Sequence, residues 1–210
     1  MRLLGGKPLV QYTLEAARDC ALIDDIFISS DDSDVIELAS ALDVDVPYDR
    51  PEAISGDTAS MFETVRDGLN WLQSKDGGLP DVIALLQPTS PFRNAGHLQE
   101  AIELFLNSSA NTLVSVHRMG CHPFECVSGE SGDWQYLAKP SGASYRQAYP
   151  DDYYYINGAI YLIRTPWLIN SERFCEDGSA LLYMMSVQNG VDIDSETDFA
   201  HAEFLQKIAN

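Results

Sequence analysis

An α/β fold, with helices crossing over a mostly parallel sheet, is predicted by three observations on this 210-residue chain. Short apolar segments alternate with helix-length amphipathic ones as far as about residue 117. The run Val82, Ile83, Ala84, Leu85 and Leu86 is apolar at every position, as in a strand covered on both faces. That run ends in a polar, proline-punctuated loop, Gln87, Pro88, Thr89, Ser90 and Pro91, at the edge of the sheet where α/β proteins bind ligands. The plainer reading of the loop is a rigid connection whose hydroxyls cap the next helix.

In chain order, a Gly-Gly turn and Pro8 lead into a helix over residues 9–20. Residues 25–30, DIFISS, read as a strand. The acidic cluster Asp31, Asp32 and Asp34 then caps a helix carrying Val35, Ile36, Leu38 and Leu42. A short strand near residues 44–46 leads to Arg50, which the following Pro51 biases to extended backbone. Asp57 opens a helix with Met61, Phe62, Val65, Leu69 and Leu72 on one face. After the central strand, Asn94 caps a helix with Leu98, Ile102 and Phe105, and residues 112–117 form another strand.

Between residues 118 and 152 the pattern breaks into a segment rich in Gly, Ser, Tyr and Trp, with strand-like pieces around 134–137. Exposed aromatics on so long an excursion suit a lid, a loop or an arm that docks on another subunit. The pattern resumes with a long strand over 153–163, interrupted by Asn157-Gly158, and a glycine inside a strand marks a bulge or a close approach. Thr165-Pro166 starts a short helix, residues 181–186 form a strand, and Ser195 with Asp198 makes a capping box for the last helix.

The chain has the length of one domain, 1–210, with a core that needs no staples. Its net charge of −19 repels nucleic acid and anionic membranes, and no apolar run approaches membrane-spanning length. A small anionic substrate stays open if arginines converge locally or a divalent metal bridges it to carboxylates. Four cysteines without a CxxC pair and the lack of a signal-peptide-like start suit a reduced, cytoplasmic protein. His117, Cys121, His122 and Cys126 are cysteine and histidine neighbours, but their spacing does not match structural zinc motifs.

Asp192 and Asp194 flank Ile193, so in extended backbone both carboxylates project to one side while the isoleucine enters the core. Such a pair ionises readily only with a cation between, and Mg²⁺ accepts carboxylates together with phosphate oxygens. Equally, two aspartates ahead of a helix N-terminus are favourable there on their own account.

Taken together, GGKPLVQYTLEAA, RPEAISGDTAS, LLQPTSPFR, YRQAYP, NGAIYLI and DIDSETDF, in this order across nearly the whole chain, resemble the CMP-sialic acid synthetases, or acylneuraminate cytidylyltransferases. The resemblance implies a Rossmann-like nucleotidyltransferase fold and a homodimer whose arm, about 118–152, exchanges between subunits. It implies CTP and a nine-carbon 2-keto sugar acid as substrates, and attack of the anomeric hydroxyl on the α-phosphate with loss of pyrophosphate. Carried over by position, Asp192 and Asp194 hold Mg²⁺ and orient that hydroxyl. Arg50, Asp57 and Ser60 approach the nucleotide; Gln87, Asn157 and Tyr161 line the sugar pocket; Arg146 meets the sugar carboxylate. The family's opening strand and basic, glycine-containing triphosphate loop are not in the sequence, where only Arg2 and Lys7 are nearby cations. A catalytically impaired sugar- or nucleotide-binding homologue is therefore the first alternative. A metal-dependent glycosyltransferase using the aspartate pair is the second.

Overall fold

The structure, a computed structural model, describes residues 1–44, 48–56, 59–138 and 153–209. It opens with two short paired strands, β1 (Leu3–Leu4) and β2 (Lys7–Pro8), followed by helix α1 (Leu9–Arg18). Then come α2 (Ser33–Ala41), α3 (Met61–Asp76), β3 (Val82–Leu85), α4 (Ala95–Leu106) and β4 (Thr112–Arg118). A hairpin of β5 (Val127–Glu130) and β6 (Asp133–Tyr136) precedes β7 (Tyr154–Arg164), α5 (Thr165–Ser171), β8 (Leu181–Met184) and α6 (Glu196–Ala209).

The main sheet has the order β3-β7-β4-β8. Strands β4 and β8 pair in parallel, while β7 runs antiparallel to both β3 and β4. Three strands thus share one direction, as crossover helices require, and β7 alone is reversed between two of them. Side chains alternate along β7. Ile160 and Leu162 pack with Leu113 and Tyr183 against α1 and α4, through Ala16, Cys20, Leu98, Ala101, Ile102 and Phe105. Ile163 and Tyr161 face the other way, against Leu69 of α3 and Leu168 of α5. The result is a sheet between two helical layers, the Rossmann-like arrangement.

Residues 25–30 differ from expectation: they make no ladder. A strand needs a partner, and β3, whose outer edge closes this sheet, pairs only with β7 among the described residues. The segment is held by its side chains instead. Ile26 and Ile28 pack on Leu14, Ala39 and Val44, and Phe27 lies 5.0 Å from the Tyr48 ring and 5.8 Å from Trp71. Val44 is buried without forming a strand, and the rest of the strand expected near 44–46 lies outside the described residues. Pro8 is the residue before α1, which ends at Arg18. Thr165 is the first residue of α5, and its hydroxyl makes no capping bond.

The caps at the other helices match their sequence signals. Asp32 accepts from the Asp34 N–H. Ser195 and Asp198 exchange backbone N–H bonds of 3.3 and 2.8 Å at the start of α6. At α4, Asn94 accepts from His97 N at 3.0 Å, while His97 Nδ1 accepts from Asn94 N at 3.2 Å. With Nδ1 an acceptor, the neutral ring carries its proton on Nε2, and the Asn189 carboxamide 3.1 Å away must offer its oxygen.

Protonation of His97 would remove that acceptor, and burial holds its pKa below the ordinary 6.5. The unfolded chain therefore takes up the proton first. Stability from this group is complete above about pH 6.5 and declines as pH falls toward the folded-state pKa. Glutamine in the same position keeps a capping box without titrating. His97→Gln is expected to lose less urea stability than the wild type between pH 7.5 and 5.0, and equal losses would refute this role.

Candidate active site

Three segments converge at the carboxyl end of β3. The loop that follows β3 is tied to α1 because Gln87 O accepts from Thr13 Oγ1 at 3.3 Å. It is tied to the C-terminal region because Thr89 O accepts from Ile193 N at 2.9 Å. Val191 and Ile193 bury their side chains against Leu4, Phe199 and Ala202, which turns the intervening Asp192 toward the loop.

The third segment is an irregularity in β7. Its register with β4 moves from Val114↔Tyr161 to Val116↔Ile156, so residues 157–160 of β7 face the single Ser115. Side chains repair the gap. Ser115 Oγ accepts from Ile160 N at 2.8 Å and donates to Asn157 Oδ1 at 2.6 Å, and Asn157 Oδ1 also accepts from Ala159 N at 3.1 Å. The Asn157 oxygen is fully used, which leaves its Nδ2 buried without an acceptor. A buried donor left in this state costs about 1–3 kcal/mol.

Two glycines allow the close approach. Gly158 has φ +73°, and a Cβ there would fall 2.7 Å from Gln87 Oε1 and 3.4 Å from Asp192 Oδ2. A Cβ on Gly190 would fall 2.5 Å from Asn157 Nδ2 and 2.7 Å from His117 Nδ1. Gln87 and Asp192 therefore meet over Gly158, and Asn157 Nδ2 meets His117 over Gly190. His117 Nδ1 is buried without a partner, and its ring lies 5.4 Å from that of Tyr155.

Burial is also the main influence on the ionisable groups here. It pushes the Asp192 carboxyl above its usual range against a hydrogen bond from Thr89, and the charge of Asp194 pushes the same way as burial. Asp192 Oδ1 is buried with no donor. An orphaned carboxylate oxygen beside a second, exposed carboxylate is a donor set suited to a hard divalent cation that completes its shell with water and phosphate oxygens. Tyr161 is half-buried on β7, its pKa raised by burial and then by Asp192.

Arg50 and Ser60 are not brought to these groups by any hydrogen bond or ion pair among the described residues. Arg50 is engaged by Ser29 Oγ at 3.1 Å and Asp31 at 3.6 Å, with no polar contact to Gln87, Asn157, Asp192 or Asp194. Ser60 is the N-terminal cap residue of α3, its hydroxyl making no capping bond. Asp57 and Arg146 lie outside the described residues. Four contributors are not legible as site residues in the sequence: Ser115, His117, Gly190 and Arg93.

The fold is shared with solved structures of low sequence identity. The chain matches CMP:2-keto-3-deoxy-manno-octonic acid synthetase complexed with CTP, with a TM-score of 0.68 at 14% identity, over 100% of this chain and 91% of the other. A 4-diphosphocytidyl-2C-methyl-D-erythritol synthase matches with a TM-score of 0.69 at 16% identity, over 97% and 93%. The family model for cytidylyltransferases matches residues 1–140. In sequence the chain is 31% identical to a CMP-N,N'-diacetyllegionaminic acid synthase of Legionella pneumophila, over 99% of this chain and 88% of the relative. It is 28% identical to an N-acylneuraminate cytidylyltransferase of Streptococcus agalactiae, covering 96% of this chain but 48% of that longer protein. A pseudaminic acid cytidylyltransferase of Campylobacter jejuni is 26% identical, over 97% and 87%. The chain belongs to the CMP-sialic acid synthetase family of cytidylyltransferases.

Gly158→Ala combines an unfavourable positive φ with a methyl group against Gln87 and Asp192. It is expected to lower the thermal midpoint by about 2–8 °C. A midpoint within 1 °C or so of wild type, by the same scaling, would show that the bulge relaxes freely.

Proposed function

We propose that this chain transfers CMP from CTP to the anomeric hydroxyl of a sialic-acid-like nine-carbon 2-keto sugar acid, releasing pyrophosphate. The observation that carries the reading is the approach of Gln87 and Asp192 over Gly158, beside the β7 bulge of Asn157, with Asp192 Oδ1 and Asn157 Nδ2 buried and without a partner. Relatives named for legionaminic, neuraminic and pseudaminic acids supply the substrate class.

In this reading a bond forms between the anomeric oxygen and the α-phosphorus, the bond from that phosphorus to the bridging oxygen breaks, and pyrophosphate departs. The residues act by placement. Asn157 Nδ2 and the Gln87 carboxamide hold the sugar, and Asp192 Oδ1 accepts a hydrogen bond from the attacking hydroxyl. Asp192 and Asp194 would hold Mg²⁺, which neutralises phosphate charge when bound. Tyr161 lines the sugar side, while Arg50, Asp57 and Ser60 serve the nucleotide and Arg146 the sugar carboxylate.

The arm about 118–152 serves a homodimer in the same reading. Val127, Trp134, Tyr136 and Leu137 around the hairpin, with Tyr154, Tyr155 and Ile156 of β7, form apolar exposure suited to a subunit interface. No helix among the described residues is long and apolar enough to cross a membrane. The four free cysteines suit a reducing cytoplasm.

The test is Mg²⁺-dependent release of pyrophosphate from CTP with N-acetylneuraminate, legionaminate and pseudaminate offered separately. Turnover with one of them is expected, with Asp192→Asn and Asp194→Asn each lowering kcat by about 100-fold or more while remaining folded. Binding of sugar acid or CMP without any pyrophosphate release would replace this reading with that of a non-catalytic binding protein.

A further inference from the structure

Arg93 is 2% exposed, the largest of the fully buried side chains. Its Nη1 donates to Gln87 O at 3.2 Å and to Ala159 O at 2.7 Å, and its Nη2 donates to Thr13 Oγ1. All three acceptors are neutral, Nε has no partner, and no carboxylate pairs with the guanidinium among the described residues. Desolvation lowers its pKa to about 10, so it stays a cation at neutral pH. Keeping an unpaired charge buried is an expensive way to fill space, and an apolar side chain of similar volume would serve packing better.

Its position gives the charge a use. The β3–β7 ladder ends at Leu85↔Tyr161. Beyond that pair the ladder has no further rung, and Nη1 joins Gln87 O on one side to Ala159 O on the other. Those carbonyls belong to the residue whose side chain meets Gly158 and to the residue that follows Gly158. Thr13, which donates to Gln87 O and accepts from Arg93, fixes the same fork from α1.

We propose that Arg93 is a positioning residue for the sugar acid: it replaces the missing rungs between β3 and β7 and so sets the separation of Gln87 from the Asn157-Gly158-Ala159 bulge. Its charge adds a fixed positive element on a chain of net charge −19 that must accept an anion. This inference rests on the proposed cytidylyltransferase reading. A lysine at position 93 keeps the charge but not the planar fork, because one ammonium does not reproduce a guanidinium's fixed donor geometry. Thr13→Val keeps Arg93 and removes the anchor of its Nη2, at a residue that touches no substrate in this reading.

The experiment measures N-acetylneuraminate binding by calorimetry and steady-state constants for both substrates, on the wild type, Arg93→Lys, Arg93→Gln and Thr13→Val, each scaled to its folded fraction. Arg93→Lys is expected to lower kcat on the order of 100-fold and raise the sugar-acid KM, with the CTP KM within about twofold of wild type. Arg93→Gln is expected to be worse than lysine, because it loses the charge as well as the fork. Thr13→Val is expected to move the sugar-acid constants the same way by roughly threefold, which keeps the test decisive if the Arg93 variants do not fold. Lower thermal midpoints with unchanged constants per folded molecule, or equal loss for both substrates, would overturn the inference alone. A wild type that neither binds nor turns over any of the three sugar acids would overturn the functional reading, and the inference with it.

Discussion

Where β7 carries residues 157–160 past the single Ser115, four backbone positions have one opposite number, and the surrounding structure is arranged to tolerate this. A hydroxyl and a carboxamide take over the interrupted ladder. Ser115 and Asn157 satisfy each other and two backbone N–H groups, so the bulge is closed by bonds rather than left as a defect. Gly158 supplies the left-handed turn that the bulge needs, and its missing side chain leaves room for Gln87 and Asp192. If Ser115 were apolar, Asn157 Oδ1 and the Ile160 N–H would lose a partner at the same time.

This arrangement separates support from function within single side chains. The oxygen of Asn157 is spent on structure and its nitrogen is free; the carbonyl of Gln87 is held by Thr13 and Arg93 while its Oε1 faces Gly158. Asp192 is held by its backbone, through the buried neighbours Val191 and Ile193, and one carboxylate oxygen is left without a donor. Groups fixed in this way need little reorganisation when a ligand arrives, which is how a placement-based transfer gains its rate.

Much of this was legible in the sequence because it follows from short-range chemistry. The apolar run ending in QPTSP, the Asn-Gly inside a strand and the Asp-Ile-Asp alternation each point to a local geometry, and the structure sets Gln87 and Asp192 against Gly158 of that Asn-Gly. The caps at Asp32, Asn94 and Ser195 were likewise readable. What the sequence could not show is pairing across long separations. Nothing in residues 25–30 says that no strand among the described residues pairs with them. Ser115 and Arg93 carry no local signal of their roles, which depend on residues of β7 that are 42 and 66 positions away in the chain. His117 shows the same limit, since a histidine at a strand end has no spacing signal that puts it beside Asn157.

The link from His97 to Asn189 has a dynamic consequence. His97 belongs to the first turn of α4, and Asn189 precedes the glycine on which Asn157 and His117 rest. Fraying of that turn would loosen Asn189, and with it the backbone around Gly190. The helix start and the bulge, distant in the chain, should therefore exchange their backbone protons as one cooperative unit, with the protection of the site limited by the integrity of a helix cap.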